Sequence, residues 1–400
     1  MNLLPAIVIG GPPHSGKSVL AYSLSRALRS RNVSHYVLRA YPDGEGDWAN
    51  QAKQDLVRAI RIKGLGAPEW IERICRDIDR RHLPLIVDPG GQPTEWQEAV
   101  FDRCTHAIVL WPERHARQVW RDMLIRHGLT LMADLHSELH GSDNIEDQGP
   151  VLRGTLAGLE RGRTAAGPAF QALVGRVAAL FNYTPNELRQ AHIEQAPVEL
   201  VIELDRLGRT LNALNSASEW EPQHLPRVLD YLPQARPLGL YDRGPNWLYA
   251  ALALYAHPET LYQFDVRLGW VSPPSLYIDQ PADDALLQAK LEPRSDHTRV
   301  ELTLREVYLD YAEADGLRVP PVPVDTGVVL SGKLPLWLWT AASLAYNSAP
   351  WLGIYQPQLN DQAVIVKSQI AGLMVGQTVY SVHQRLSASQ SWVAGCDSPP

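Results

Sequence analysis

The chain is poor in cysteine. Cys75, Cys104 and Cys396 are its three cysteines, widely spaced and without a CxxC pair. That excludes a disulfide framework and points to a reducing compartment. No uninterrupted apolar run approaches ~18 residues, so no membrane span is expected. Positive charge is not in excess either. Lys and Arg total 37 against 44 Asp and Glu, for a formal net charge of -7. A bulk polyanion binder is thereby excluded, and any nucleic-acid contact should be local. The start, Met1 to Gly10, lacks a basic segment and runs into a glycine loop. It reads as a first core strand rather than a signal peptide, and a cytoplasmic location is expected. What the chain does have is length and apolar content. Its 400 residues, 45% apolar, suit two or three domains of ~100–200 residues with real cores.

The first motif that carries chemistry is Gly11-Pro12-Pro13-His14-Ser15-Gly16-Lys17-Ser18, a full match to G-x-x-x-x-G-K-[ST]. Ala6-Ile7-Val8-Ile9 before it reads as a strand, and the stretch through Leu28 after it as an amphipathic helix. Glycines let backbone N–H groups curl around phosphate oxygens, and the helix N-terminus adds a positive dipole. Gly11, Ser15 and Gly16 would form that cradle, Lys17 would reach the β- and γ-phosphates, and Ser18 would ligate Mg²⁺. ATP and Mg²⁺ are the expected cofactors.

Leu83 to Asp88 is an apolar run ending on an acid, which makes Asp88 a candidate to orient Mg²⁺ or a water on it. The plainer role for Asp88 is to cap the turn Pro89-Gly90-Gly91. A second strand, His35 to Arg39, leads into a polar loop in which Asp43, Glu45 and Asp47 are candidates for activating an acceptor hydroxyl. Nothing in the sequence chooses among the three. Helices are expected near 51–63 and 69–81, and another strand at 106–111. Arg114, Arg117 and Arg121 then recur at helical spacing. They suit either a lid that neutralises phosphoryl charge or a solvated helix face. Residues 136–149 are polar and read as a loop or linker, and 165–181 as a helix. Strands alternating with helices through about residue 190 predict a parallel α/β sheet with right-handed crossovers.

The pattern then changes. Gly244-Pro245-Asn246-Trp247 opens a helix that ends near Tyr255 and is followed by Phe264-Asp265-Val266-Arg267-Leu268-Gly269. About ninety residues later Leu334-Pro335-Leu336-Trp337 opens another helix, ending on Tyr346 and followed by Tyr355-Gln356-Pro357-Gln358-Leu359. The apolar frame repeats while the polar residues differ. His257, Asp265 and Arg267 in the first copy correspond to Ser348, Gln356 and Gln358 in the second. Trp247 and Trp337 read as core packing. Two fused copies with pseudo-twofold symmetry would replace a homodimer. The loops Arg243-Gly244-Pro245 and Ser331-Gly332-Lys333 precede helix N-termini, where phosphates bind well.

The second copy resembles the CRISPR-associated ring nuclease three (Csx-three) family. The resemblance rests on Val328 to Leu338, Tyr355 to Leu359 and Ala363 to Val366. The first copy is similar at Arg243-Gly244-Pro245 and at Asp265, Arg267, Leu268 and Gly269, although Val266 stands where the family has proline. The resemblance covers about the C-terminal half, and members fused to an AAA-type P-loop domain fit the N-terminal half. It implies binding and cleavage of cyclic tetraadenylate, the messenger of type III CRISPR defence. It also implies catalysis by His257, Asp265 and Arg267, and a link to Mn²⁺ through His257 and Asp265. Arg243, Gly244, Ser331, Gly332 and Lys333 would bind the ring. In the family two dimers sandwich the ring, so a homo-oligomer is expected.

The expected fold is α/β: a P-loop domain at 1–192, an active repeat at 195–280 and a degenerate repeat at 281–395. The expected function is a ring nuclease coupled to a P-loop domain that phosphorylates the 5′ end of linear oligoadenylate or RNA. Three rivals stay open: a ring-gated ATPase, a protein that sequesters the messenger, and a nucleotide kinase with a structural C-terminal domain.

Overall fold

A computed structural model of the chain describes residues 4–40, 68–215, 217, 219–305 and 309–380. Asp43, Glu45, Asp47, Cys396 and the helix expected at 51–63 lie outside the described residues. The chain forms two compact units: Met1–Ala196 with Asp265–Trp270, and Pro197–Phe264 with Val271–Pro400. The sequence pattern had placed the turn Asp265–Trp270 in the repeat, whereas its contacts group it with the first unit.

The first unit is a mixed α/β layer structure. In chain order it comprises β1 (Ala6–Gly10), α1 (Lys17–Ser30), β2 (Tyr36–Arg39), α2 (Pro68–Asp79), β3 (Leu85–Asp88), β4 (His106–Trp111) and α3 (Arg114–Arg126). There follow β5 (Thr130–Glu138), β6 (Asn144–Asp147), β7 (Leu152–Ala157), α4 (Pro168–Leu180) and α5 (Pro185–Glu194). Among the described residues the sheet runs β2-β3-β1-β4-β5-β7-β6. Every pairing is parallel except β6 with β7.

The near-continuous apolar strands follow from burial on both faces. Ile7, Ile9, Ile86, Ile108 and Leu110 point to one side, where they join Leu24 of α1 and Phe170 and Leu173 of α4. Ala6, Val8, Val87, Ala107 and Val109 point to the other, against Ile74 and Ile78 of α2 and Trp120 and Leu124 of α3. The period-2 alternation of the strands thus sorts each residue into one of two cores.

This strand order sets the position of the site. From β1 the chain leaves toward β2 on one side, and from β4 toward β5 on the other. Connections that diverge from neighbouring parallel strands leave a crevice at their carboxyl ends. The loops after β1 and β4 border that crevice.

One segment differs from expectation. Residues 136–149, read as a loop or linker, contain the end of β5 and the edge strand β6. An edge strand with a solvated face carries no apolar alternation, and only its pairing with β7 defines it.

The second unit comprises β8 (Val201–Glu203), α6 (Leu204–Thr210), α7 (Leu225–Tyr231), β9 (Leu238–Tyr241), α8 (Asn246–Ala256), β10 (Leu261–Asp265) up to Phe264, Val271 of β11 (Gly269–Val271), β12 (Tyr277–Ile278) and β13 (Leu287–Pro293). It continues with β14 (His297–Leu304), β15 (Arg318–Val319), β16 (Gly327–Gly332), α9 (Leu336–Ala345), β17 (Trp351–Gln356), β18 (Gln362–Ser368) and β19 (Thr378–Tyr380). One sheet is ordered β11-β10-β9-β8 and another β13-β14-β16-β17-β18-β19.

The same local path occurs twice. In the first sheet β8 pairs in parallel with β9, the chain crosses by α8, and β10 pairs in parallel with β9. In the second sheet β14 pairs in parallel with β16, the chain crosses by α9, and β17 pairs in parallel with β16. Both crossover helices follow a proline, Pro245 or Pro335, and both are buried almost all round. They pack on each other, as a helix apolar on every side must be enclosed.

Phe170 is 2% exposed within the first core. Phe170→Ala should lower unfolding stability by about 4 kcal/mol, the transfer loss plus the cavity left behind. Urea titration of the purified chain measures this.

Candidate functional site

The loop between β1 and α1 is wound tightly enough to forbid side chains. A Cβ on Gly11 would stand 2.2 Å from the Leu110 carbonyl oxygen at the end of β4. Gly16 has φ +89°, in the left-handed region, and its Cβ would meet Leu159 at 2.7 Å. His14 also takes a positive φ of 64°. Lys17 begins α1 and is only 5% exposed. Its Nζ donates to the carbonyls of Gly11 at 2.7 Å and Pro12 at 2.8 Å. The ammonium also lies 5.8 Å from the Trp120 ring centre.

These features fit a phosphate group. The N-terminus of α1 has no side-chain cap. The Ser15 hydroxyl is buried and has no hydrogen-bond partner. The Lys17 ammonium, satisfied only by neutral carbonyls, is free to exchange them for anionic oxygens. Burial lowers the Lys17 pKa to about 8, opposed by the charge of Asp88, so the cation persists at neutral pH. Gly11, Ser15, Gly16 and Lys17 are therefore brought together, with Ser18 beside Lys17 in the first turn.

Asp88 ends β3, next to β1, and is 2% exposed. Its Oδ1 accepts from the Gly90 N–H at 3.2 Å, and its Oδ2 lies 3.4 Å from Arg39. Both roles read from sequence are thus compatible. Asp88 caps its turn, and its charge also acts on Lys17.

A second buried acid was missed. Asp134, in β5, is 1% exposed. It accepts from Trp111 Nε1 at 2.7 Å, and Arg117 forms a fork on it, with Nε 2.9 Å from Oδ1 and Nη2 2.8 Å from Oδ2. Arg121 adds a longer ion pair at 3.7 Å. Arg117 is partly exposed, and its fork geometry is taken up by Asp134. Arg114 is exposed at the start of α3. The only sequence sign of Asp134 is an acid inside the otherwise apolar Leu131–Leu135.

In the second unit the expected ring-binding groups fall at one end of the fold. The β16–β17 register, with Leu330 opposite Ile354, sets Gly332 level with Gln356. Gln356 Nε2 donates to Asn246 Oδ1 at 2.5 Å, at the first residue of α8. The loops holding Arg243 and Gly244, and Ser331, Gly332 and Lys333, consequently share an edge. The N-terminus of α9 lacks a side-chain cap, whereas at the start of α8 Asn246 Oδ1 accepts from the Trp247 N–H at 2.9 Å. Arg243 and Lys333 are exposed. Ser331 is buried, and its hydroxyl accepts from Arg299 Nε at 3.0 Å. The Arg299 guanidinium stacks 4.4 Å from the Tyr355 ring centre. A Cβ on Gly332 would strike the Leu302 carbonyl at 2.0 Å, so this position requires glycine.

His257 belongs to the second unit, whereas Asp265 and Arg267 lie in the turn grouped with the first. His257 is exposed at the C-terminus of α8, before β10, and Asp265 ends β10. Asp265 Oδ1 accepts from the Arg267 N–H at 2.8 Å and the Leu268 N–H at 3.1 Å. Arg267 Nε lies 3.8 Å from Asp77 of α2. Among the described residues no group of three or more His, Cys, Asp or Glu could hold a metal ion.

What the geometry defines is an α/β protein with a phosphate-suited loop in one unit and a basic, helix-lined edge in the other. Residues 302–380 match the family model described as CRISPR-associated protein (Cas_csx3). The chain thus carries a CRISPR-associated domain, and the match spans the end of β14, β16, α9, β17, β18 and β19. No helix among the described residues is long and apolar enough to cross a membrane.

Two outcomes follow. Asp134→Ala leaves Arg117 and the Trp111 N–H without their buried acceptor, and should cost about 3 kcal/mol of stability in denaturant titration. Lys17 has a folded pKa of about 8, against about 10.4 unfolded. Between those values the unfolded chain binds more protons, so stability should rise with pH across that window relative to Lys17→Met. Unfolding curves of the two proteins at matched pH values test the sign.

Proposed function

We propose that this chain is a CRISPR-associated protein that binds cyclic tetraadenylate through its second unit and ATP through the loop at residues 11–18. The observation that carries the proposal is the basic edge formed by Arg243, Lys333 and the N-termini of α8 and α9, in a unit whose residues 302–380 match the Cas_csx3 family model. A cyclic tetranucleotide presents phosphates in two-fold related positions, and two topologically similar halves present two such termini. The tandem-repeat reading of the second unit is part of this proposal, with 195–280 as the active copy and 281–395 as the degenerate one.

At the loop, backbone N–H groups and the Ser15 hydroxyl would hold phosphate oxygens. Lys17 would leave the Gly11 and Pro12 carbonyls for the β- and γ-phosphates. Ser18 and Asp88 would hold Mg²⁺, directly or through water, and the ion would neutralise charge on the transferred phosphoryl group. Phosphate transfer to the 5′ end of a linear product is the proposed role of this first unit.

For ring cleavage, His257 would exchange a proton with the ribose 2′-OH or the leaving oxygen, and Arg267 would hold the phosphate. Asp265 positions the Arg267 turn through its two backbone contacts. The reading places His257 of one chain against Asp265 and Arg267 of another, in a homo-oligomer.

The test is incubation with labelled cyclic tetraadenylate, with and without ATP and Mn²⁺, followed by product separation. Cleavage should fall by about 100-fold or more in His257→Ala. Mixing His257→Ala with Arg267→Ala should restore part of it, because mixed oligomers rebuild an intact site. An intact ring under every condition refutes the nuclease. A second reading is a ring-gated ATPase, favoured by the Lys17 ammonium held on the Gly11 and Pro12 carbonyls. It predicts ATP hydrolysis that rises with the ring, is lost in Lys17→Ala, and leaves the ring uncut.

A further inference from the structure

The first unit contains a cavity of about 460 Å³ that lies away from the loop at residues 11–18. Its walls come from the end of α2, from α5 and from the turn Asp265–Trp270, all within that unit. Arg80, Arg81, His82, His192, Gln195 and Trp270 are among its lining residues. The size is that of a small-molecule site.

Arg81 is the unusual member. It is 7% exposed, a depth at which an arginine is normally paired with an acid. Among the described residues it makes no ion pair. Its Nε donates to the Leu4 carbonyl, and its Nη1 donates to the carbonyls of Ile78 at 2.6 Å and Arg103 at 3.4 Å. Its Nη2 is buried with no hydrogen-bond partner. A buried guanidinium nitrogen left without an acceptor costs free energy, and an anionic oxygen would satisfy it.

The rest of the wall is tied together by hydrogen bonds and carries aromatic rings. His192 Nε2 donates to the His82 carbonyl at 2.6 Å, and Trp270 Nε1 donates to the His192 carbonyl at 2.7 Å. The two imidazoles meet edge to face with centres 6.0 Å apart. Gly269 has φ +77°, and a Cβ there would stand 2.4 Å from His82 Nε2, so only glycine lets the turn close on this histidine. Burial lowers the pKa of both imidazoles, so the positive charge of the wall comes from the arginines, with the Asp79 carboxylate also lining the cavity. Arg80, exposed beside Arg81, adds a second cation.

We infer that this cavity binds a phosphorylated molecule of nucleoside monophosphate size, with its anionic group on Arg81 and Arg80 and its planar ring against the Trp270 wall. The cavity uses none of the residues of the ATP loop or of the basic edge in the second unit. Its occupant contacts the turn that carries Asp265 and Arg267.

Calorimetric titration of the full chain with AMP tests this, using Lys17→Ala to remove binding at the loop. AMP should still bind the Lys17→Ala protein. Adding Arg81→Lys, which keeps the charge but removes Nη2, or Arg80→Ala should weaken it about tenfold or more. Adenosine and inorganic phosphate, each lacking half of the ligand, should bind at least tenfold more weakly than AMP. Arg80 is at the surface, so its variant remains informative if Arg81→Lys does not fold. No AMP binding to Lys17→Ala, or binding unchanged by Arg80→Ala and by a folded Arg81→Lys, overturns the proposal. Equal binding of phosphate and AMP overturns the nucleotide assignment.

Discussion

The Lys17 ammonium is buried and is answered only by the carbonyls of Gly11 and Pro12. This contact fixes much of the first unit. For the loop to fold back on its own cation, Gly11 must lie against the Leu110 carbonyl, which locks β1 to β4 at their carboxyl ends. That is where the chain diverges to the two sides of the sheet. The Trp120 ring lies beside the same ammonium and belongs to the core on the α3 side. A neutral pair of carbonyls holds a cation less strongly than phosphate oxygens do, so the loop is stable when closed on itself and poised to change partners.

Around this point the buried charges are each tied to a counter-group. Asp88 is balanced by Arg39 and felt by Lys17. Asp134 is balanced by Arg117 and bonded to Trp111. Arg81 departs from the pattern, with one nitrogen unmet in a cavity wall. In the second unit the comparable device is Arg299, divided between the Ser331 hydroxyl and the Tyr355 ring. It stiffens the loop whose Gly332 cannot carry a side chain. Both units thus place a glycine where backbone approaches backbone, next to a helix N-terminus.

Legibility in the sequence followed the range of the interactions. The loop at 11–18 could be read because glycines, lysine and serine act within eight consecutive residues. The two cores could be read because parallel strands buried on both faces are nearly all apolar. β6 could not, since Asn144-Ile145-Glu146-Asp147 is polar and is a strand only through its pairing with β7. Asp134 was passed over because its partners Trp111 and Arg117 are distant in the chain. The correspondence of Trp247 with Trp337 was visible, and α8 and α9 do pack together as buried helices.

The sequence by itself determined the local chemistry: the phosphate-suited loop, the apolar strands, the crossover helices behind Pro245 and Pro335, and a CRISPR-associated domain at 302–380. These depend on short-range spacing and on backbone conformations that few residue types allow. Tertiary structure alone decided which charges meet. It turned Arg117 onto Asp134 and set Arg267 beside Asp77. It also left Arg81 facing a cavity. The physical reason is that an ion pair depends on distance in space, and strand order and register fix that distance, whereas residue identity does not.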